Sequence, residues 1–193
     1  MSVQILDIVL YSHDGQKRVL SLQPGKVNVI TGASQTGKSA LSDIIDYCFG
    51  SGECHVAHGP LRLRVSWYGL RLKLASGEAF VARRCPPPRA QSSTDYFIAT
   101  DSTVKVPEAS DLRATTNLEG ATTTLTSWVG IRDNLHEPPA GQRRAALSAT
   151  VRHAVALCLQ QQDEIISKKH LFHGTTDNWA AQALKDTLPY LLG

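Results

Sequence analysis

The order of apolar and polar positions predicts a chain that begins in strands and ends in helices. Residues 3–11 and 18–22 read as two strands, joined by the polar turn Ser12 to Lys17 with Asp14-Gly15 as its signal. Lys26 to Thr31 (K-V-N-V-I-T) predicts a short buried strand running straight into Gly32. Ser39 to Phe49 predicts a helix. Leu41, Ile44, Ile45, Cys48 and Phe49 share one face, and Gly50 stands where a C-terminal cap belongs.

Residues 50–60 form a loop rich in Gly and His. The cleanest alternation follows: Leu61, Leu63, Val65 and Trp67 against Arg62, Arg64 and Ser66. Beyond Tyr68-Gly69, Leu70, Leu72 and Leu74 alternate with Arg71 and Lys73, which predicts a half-buried antiparallel hairpin. Ala79 to Arg84 predicts a third strand after a turn at Ser76-Gly77. Pro86-Pro87-Pro88 ends that sheet, because proline cannot donate to a ladder.

Residues 89–117 are rich in Ser, Thr, Asp and Ala, with weak strand signals at Tyr96–Ala99 and Thr103–Val106. Thr116 followed by Glu119 resembles a capping box opening a helix through Val129. His136 to Gln142 predicts a loop. A longer helix is expected from about Arg143 to Gln160, with Leu147, Val151, Ala154, Val155 and Cys158 on one face. Asp177 is placed to cap a last helix ending near Pro189, and no internal repeat or sustained heptad is present.

Composition narrows the class. The 193 residues suffice for one domain of ordinary size, and 42% hydrophobic with 19% charged residues favours a packed core over disorder. No run of about eighteen apolar residues occurs, so no membrane span is expected. The start M-S-V-Q-I-L-D-I lacks a basic n-region, which argues against a secretory signal. Cys48, Cys54, Cys85 and Cys158 form no CxxC pair and fit free thiols in a reducing cytoplasm. The net charge of +3 permits contact with nucleic acid without demanding it.

The chemistry lies in Gly32-Ala33-Ser34-Gln35-Thr36-Gly37-Lys38-Ser39, which matches the phosphate-binding pattern GxxxxGK[ST] between a predicted strand and a predicted helix. Glycines at 32 and 37 let the backbone curl so that N–H groups point at phosphate oxygens. The helix N-terminus, with Ala40 in its first turn, adds its positive dipole end. Lys38 is expected to reach the β- and γ-phosphates, and Ser39 to offer a hydroxyl to Mg2+. The alternative is a Gly-rich turn that binds nothing.

Other clusters carry less. Arg62, Arg64, Arg71 and Lys73 on the outward hairpin face fit either a nucleic-acid surface or a solvated face that discourages edge pairing. The second is favoured, since no aromatic residue interleaves with them. Cys54, His55 and His58, like His170 and His173, have the residue types of a metal cluster without a zinc spacing. Gln160-Gln161-Gln162-Asp163-Glu164-Ile165 reads by itself as a polar exit turn.

Together, G-A-S-Q-T-G-K-S-A-L and the distant Q-D-E-I resemble the N-terminal lobe of SMC-like ABC ATPase heads, the SMC, RecN, RecF and double-strand-break repair ATPases. The likeness extends to a bacterial SMC-like group at Asp46-Tyr47-Cys48, at Gln162, Glu164 and Ile165, and at Leu171-Phe172-His173. It covers nearly the whole chain. Ser34-Gln35 replaces the usual Asn-Gly, and Ala40 stands where another hydroxyl is common.

The resemblance implies an α/β fold: a P-loop NTPase lobe whose parallel core strand feeds the phosphate loop, with an antiparallel β-subdomain and flanking helices. It implies a single ATP-binding lobe over 1–193, divided into 1–60 (hairpin, loop and helix), 61–117 (β-subdomain) and 118–193 (helical part with a glutamine loop). Residues 32–40 would hold ATP, and Ser39 with Gln162 would hold Mg2+. Lys38 and Gln162 would act in hydrolysis, Gln162 touching the metal and the attacking water. Some relatives of this kind serve in DNA repair, chromosome maintenance or anti-phage defence.

Neither an LSGGQ-like signature nor an apolar run ending in Asp-Glu is found; the nearest run, Tyr96 to Asp101, lacks the second acid. In SMC-like heads those motifs lie in a C-terminal lobe beyond a coiled coil. The expectation is therefore half of a head, completed by that lobe and by a second head in an ATP-bound dimer on DNA. Two other readings stay open: a self-contained P-loop kinase or nucleotide phosphotransferase with Asp101 as its acidic metal residue, and a nucleotide-sensing adaptor that does not hydrolyse.

Overall fold

Gln4–Ser12 (β1) and Lys17–Ser21 (β2) form the expected hairpin, with Val9 opposite Val19 and Tyr11 opposite Lys17. The computed structural model describes residues 3–33, 37–160, 165–166 and 178–192. They fall into two compact units, Met1–Ala121 and Thr122–Gly193.

The first unit is built on one sheet. Val65–Leu74 (β3), Gly77–Arg84 (β4) and Tyr96–Asp101 (β5) join the hairpin in the order β2-β1-β3-β4-β5. Every pairing between these strands is antiparallel. This overturns the expected α/β P-loop NTPase lobe with a parallel core strand: the described residues contain no parallel pair.

The segment that was to supply that strand, residues 26–31, pairs with nothing in the sheet. Val27, Val29 and Ile30 are 93%, 77% and 41% exposed. Asn28 turns the chain back on itself: its Oδ1 accepts from the Gln23 amide at 2.8 Å, and its Nδ2 donates to the Gln23 carbonyl at 2.9 Å. A side-chain amide that satisfies backbone groups locally competes with a ladder. Apolar content alone therefore misread this stretch.

The expected hairpin at 61–74 is also corrected. Pro60–Arg64 is a short helix (α2) with proline at its start, a position that tolerates the missing N–H. Strand β3 then runs unbroken through Tyr68-Gly69, which pair with Leu10 and Val9 on one side and with Arg83 and Ala82 on the other. Gly69 marks a close approach rather than a turn: a Cβ there would lie 2.7 Å from Phe80 Cζ. The turn expected at Ser76-Gly77 falls one residue earlier, at Ala75-Ser76, since Gly77 already pairs with Leu74, and the strand after it forms as expected.

Both sheet faces are covered, so β1, β3 and β4 each carry runs of consecutive buried residues. On one face Val9, Tyr11, Trp67, Phe80 and Ala82 pack with Val104 and Leu112. The segment 103–112, expected to begin with a strand, instead crosses that face and is pinned where the Tyr11 hydroxyl donates to the Pro107 carbonyl at 3.0 Å. On the other face lies the helix Ala40–Cys48 (α1), expected from the sequence, with Ile44, Tyr47 and Cys48 buried. Tyr47 meets Tyr68 edge to face with centroids 6.1 Å apart.

The second unit buries Leu125, Ile131, Ala149, Val151 and Leu184. Helix Leu118–Trp128 (α3) crosses the boundary between units; Asn117 stands just before it, and its Oδ1 accepts from the Gly120 amide at 2.9 Å. The long helix expected from 143 shrinks to Val151–Cys158 (α4). Thr150 and His153 form a reciprocal cap that fixes its start, while Leu147 pairs with His136 instead. Asn178–Leu192 (α5) runs through Pro189 rather than ending there. Asp177, the expected cap of that helix, lies outside the described residues.

Candidate functional site

The candidate cradle leads from Gly32 into α1. Gly37 takes φ +83, a left-handed conformation that glycine adopts without cost. The Ala40 amide donates to the Gly37 carbonyl at 3.1 Å and the Leu41 amide to the Lys38 carbonyl at 3.2 Å, which start the helix. Lys38 bends back over the loop. Its Nζ donates to the carbonyls of Gly32 at 2.9 Å and Ala33 at 2.5 Å. Both acceptors are neutral backbone oxygens. Ser39 is the N-cap residue, yet its hydroxyl makes no capping hydrogen bond and the residue is exposed. That hydroxyl fits the role expected toward Mg2+. Ala40 is buried at the head of the helix. Ser34, Gln35, Thr36 and Gln162 lie outside the described residues.

Gly32, Gly37 and Lys38 border a cleft of about 1190 Å³ whose other walls include His13, Asp14, Lys17, Arg18 and Arg64. Lysines and arginines outnumber the single carboxylate on that lining, which favours an anionic guest. Lys17 is paired with Glu108 at 2.6 Å. Asp14 accepts from the Ser12 hydroxyl, chiefly through which its carboxyl is held below the usual range.

The remaining candidates disperse. Arg62 and Arg64 stand on α2, not on a strand face. Arg62 bonds the Ala90 carbonyl at 3.1 Å and lies 3.0 Å from His58 Nε2. Arg71 is consumed by Asp7 and Glu78. The basic stripe is therefore not one surface. Among the described residues no three His, Cys, Asp or Glu side chains gather as metal ligands. Cys54 and Cys85 are buried and their thiols are pushed up by burial, and burial raises Cys48 to about 12. Asp101 ends β5, the edge strand opposite β2, and accepts from the Ser102 amide at 2.6 Å.

No family model, no curated protein and no solved structure matches the chain. The site is thus read from its own residues. Among these, sequence reasoning passed over Arg83, which the structure places in the interior under α1. Strand alternation held the signal, since Arg83 shares a face with Ala79 and Val81. No helix among the described residues is long and apolar enough to cross a membrane.

Proposed function

We propose that residues 32–39 hold the phosphates of a nucleoside triphosphate, ATP with Mg2+, at the N-terminus of α1. The observation that carries this reading is Lys38, bonded to the Gly32 and Ala33 carbonyls and lining a cleft that also holds Arg18 and Arg64. An anion arriving there would meet the Lys38 ammonium and the positive dipole end of α1. Lys38 would exchange its two carbonyl contacts for phosphate oxygens, and the Ser39 hydroxyl would turn to the metal. Bound Mg2+ would neutralise charge developing on the phosphates. Gln162 would orient water, a role drawn from the sequence resemblance alone.

The wider reading is half of an SMC-like ATPase head, cytoplasmic, completed by a C-terminal lobe and a second head, and acting on DNA in repair, chromosome maintenance or defence. It rests on sequence motifs, and the antiparallel sheet lends it nothing. The self-contained kinase reading is weakened by Asp101, which sits on the far edge strand and does not line the cleft.

Titration calorimetry with Mg-ATP tests the proposal. Weak binding lost in Lys38→Ala is expected, with negligible turnover. Equal heats from both proteins would refute phosphate binding by this loop. Robust steady-state hydrolysis abolished by Lys38→Ala would refute the half-site reading alone.

A further inference from the structure

Arg83 is fully buried; its Nε and Nη1 serve one end of α1 and the segments beside it, while its Nη2 has no hydrogen-bond partner among the described residues. Nη1 donates to the carbonyls of Tyr47 at 2.9 Å and Ser51 at 2.6 Å, and Nε donates to the Ser93 carbonyl at 2.9 Å. The guanidinium carbon lies 3.8 Å from the Tyr47 ring centroid and 5.0 Å from that of Tyr96. The Tyr96 hydroxyl donates to the same Tyr47 carbonyl at 3.2 Å. A buried cation is costly unless its donors are met and its charge is balanced. Here the carbonyls at the C-terminal end of α1 supply the negative dipole end, and the ring faces add their own negative potential.

The grip lies at the opposite end of α1 from Lys38. A helix of nine residues is a rod about 13 Å long. Fixing one end of a short rigid rod fixes the direction of the other. If that end tilts, the first amides of α1 and the Lys38 stem leave the place where phosphate oxygens must sit, and displacements of about 1 Å suffice to weaken such contacts.

We infer that Arg83 is a positioning residue for phosphate binding, holding α1 by its C-terminal carbonyls so that its N-terminus is presented to the ligand. The inference rests on the reading of residues 32–39 as a phosphate cradle. A lysine at this position keeps a cation near the carbonyls but loses the fork that reaches Tyr47, Ser51 and Ser93 together.

The test measures Mg-ATP affinity and amide exchange in wild type, Arg83→Lys and Arg83→Met. Affinity is expected to fall by roughly tenfold in the methionine variant and to recover in part in the lysine variant. Exchange should quicken in α1 while the β3–β4 ladder keeps its protection. If the methionine variant fails to fold, the lysine variant decides by the same two readouts. Wild-type affinity in a folded variant, or loss of protection spread equally over α1 and the sheet, overturns the positioning role. A wild-type protein that binds no nucleotide overturns the cradle reading, and this inference falls with it. Wild-type binding that survives in both Arg83 variants overturns this inference alone.

Discussion

Asp7 and Arg71 face one another across β1 and β3, with Arg71 Nε donating to Asp7 Oδ2 at 2.5 Å. The carboxylate is almost entirely buried, while the guanidinium keeps about a quarter of its surface. Arg71 also reaches Glu78 at 3.2 Å, and the Ser21 hydroxyl donates to Asp7 at 2.6 Å. Removing one partner of a buried pair leaves the other charge uncompensated. Arg71→Ala is expected to cost about 3 kcal/mol, read as a lower midpoint in urea unfolding. The double variant Asp7→Asn with Arg71→Ala should regain part of that loss, because the most deeply buried charge is gone and only the half-buried Glu78 stays without its arginine.

Gly69 carries a steric prediction. Its missing Cβ makes room for the Phe80 ring, 2.7 Å from where that atom would lie. Gly69→Ala should destabilise by about 1–3 kcal/mol through overpacking. Adding Phe80→Leu to it should recover stability, checked by thermal melts of the single and double variants. No recovery would mean that the backbone, not the ring, sets the limit.

Lys38 and Ser39 should separate function from stability. Both sit at the start of α1, and Lys38 bonds the Gly32 and Ala33 carbonyls of its own loop. Lys38→Ala and Ser39→Ala are therefore expected to change the melting free energy by no more than about 0.5 kcal/mol. Binding should respond differently in the two variants. Lys38→Ala loses affinity for triphosphate with or without metal, whereas Ser39→Ala loses only the metal-dependent part. Calorimetric titrations in Mg2+ and in a chelator make the comparison.

The second unit should weaken as the solution turns mildly acidic. Burial lowers the affinity of His153 for a proton below its ordinary 6.5, and Arg152 pushes the same way. A histidine held neutral in the folded state binds its proton more readily when unfolded. Its contribution is full above 6.5 and is lost as pH falls from there toward the lower folded value. His153 also closes the cap of α4 with Thr150. Chemical unfolding followed by Trp128 fluorescence at pH 7.5 and pH 5 should show the drop, and His153→Gln should flatten it.

Much of the first unit was legible from residue order. The β1–β2 hairpin, α1 and β4 follow from turn chemistry and period, because each is defined by neighbours close in sequence. Residues 26–31 were not, since a strand exists only beside a partner, and the Asn28 side chain supplied a local substitute for one. Tyr68-Gly69 resembled a turn because glycine marks both turns and close approaches, and only the distant Phe80 tells which. Residues 143–149 looked helical by apolar spacing, but the Thr150–His153 cap starts the helix later. The phosphate motif was plain in the sequence. The anchoring of its helix was not, because Arg83 is polar and its acceptors are backbone carbonyls, which have no signature in residue type.

The two borders of the sheet differ in a way that governs self-association. Beyond β5 the ladder is stoppered: Thr115 and Thr116 donate to the Tyr96 carbonyl at 2.7 and 3.1 Å, and the Ile98 amide gives its proton to the Thr115 hydroxyl at 3.0 Å. Beyond β2 no strand among the described residues pairs with the border, which carries Lys17 and Arg18, and bringing two such borders together sets like charges side by side. Copies of this sheet are thus kept from zipping into ribbons by a hydroxyl plug on one flank and by repulsion on the other.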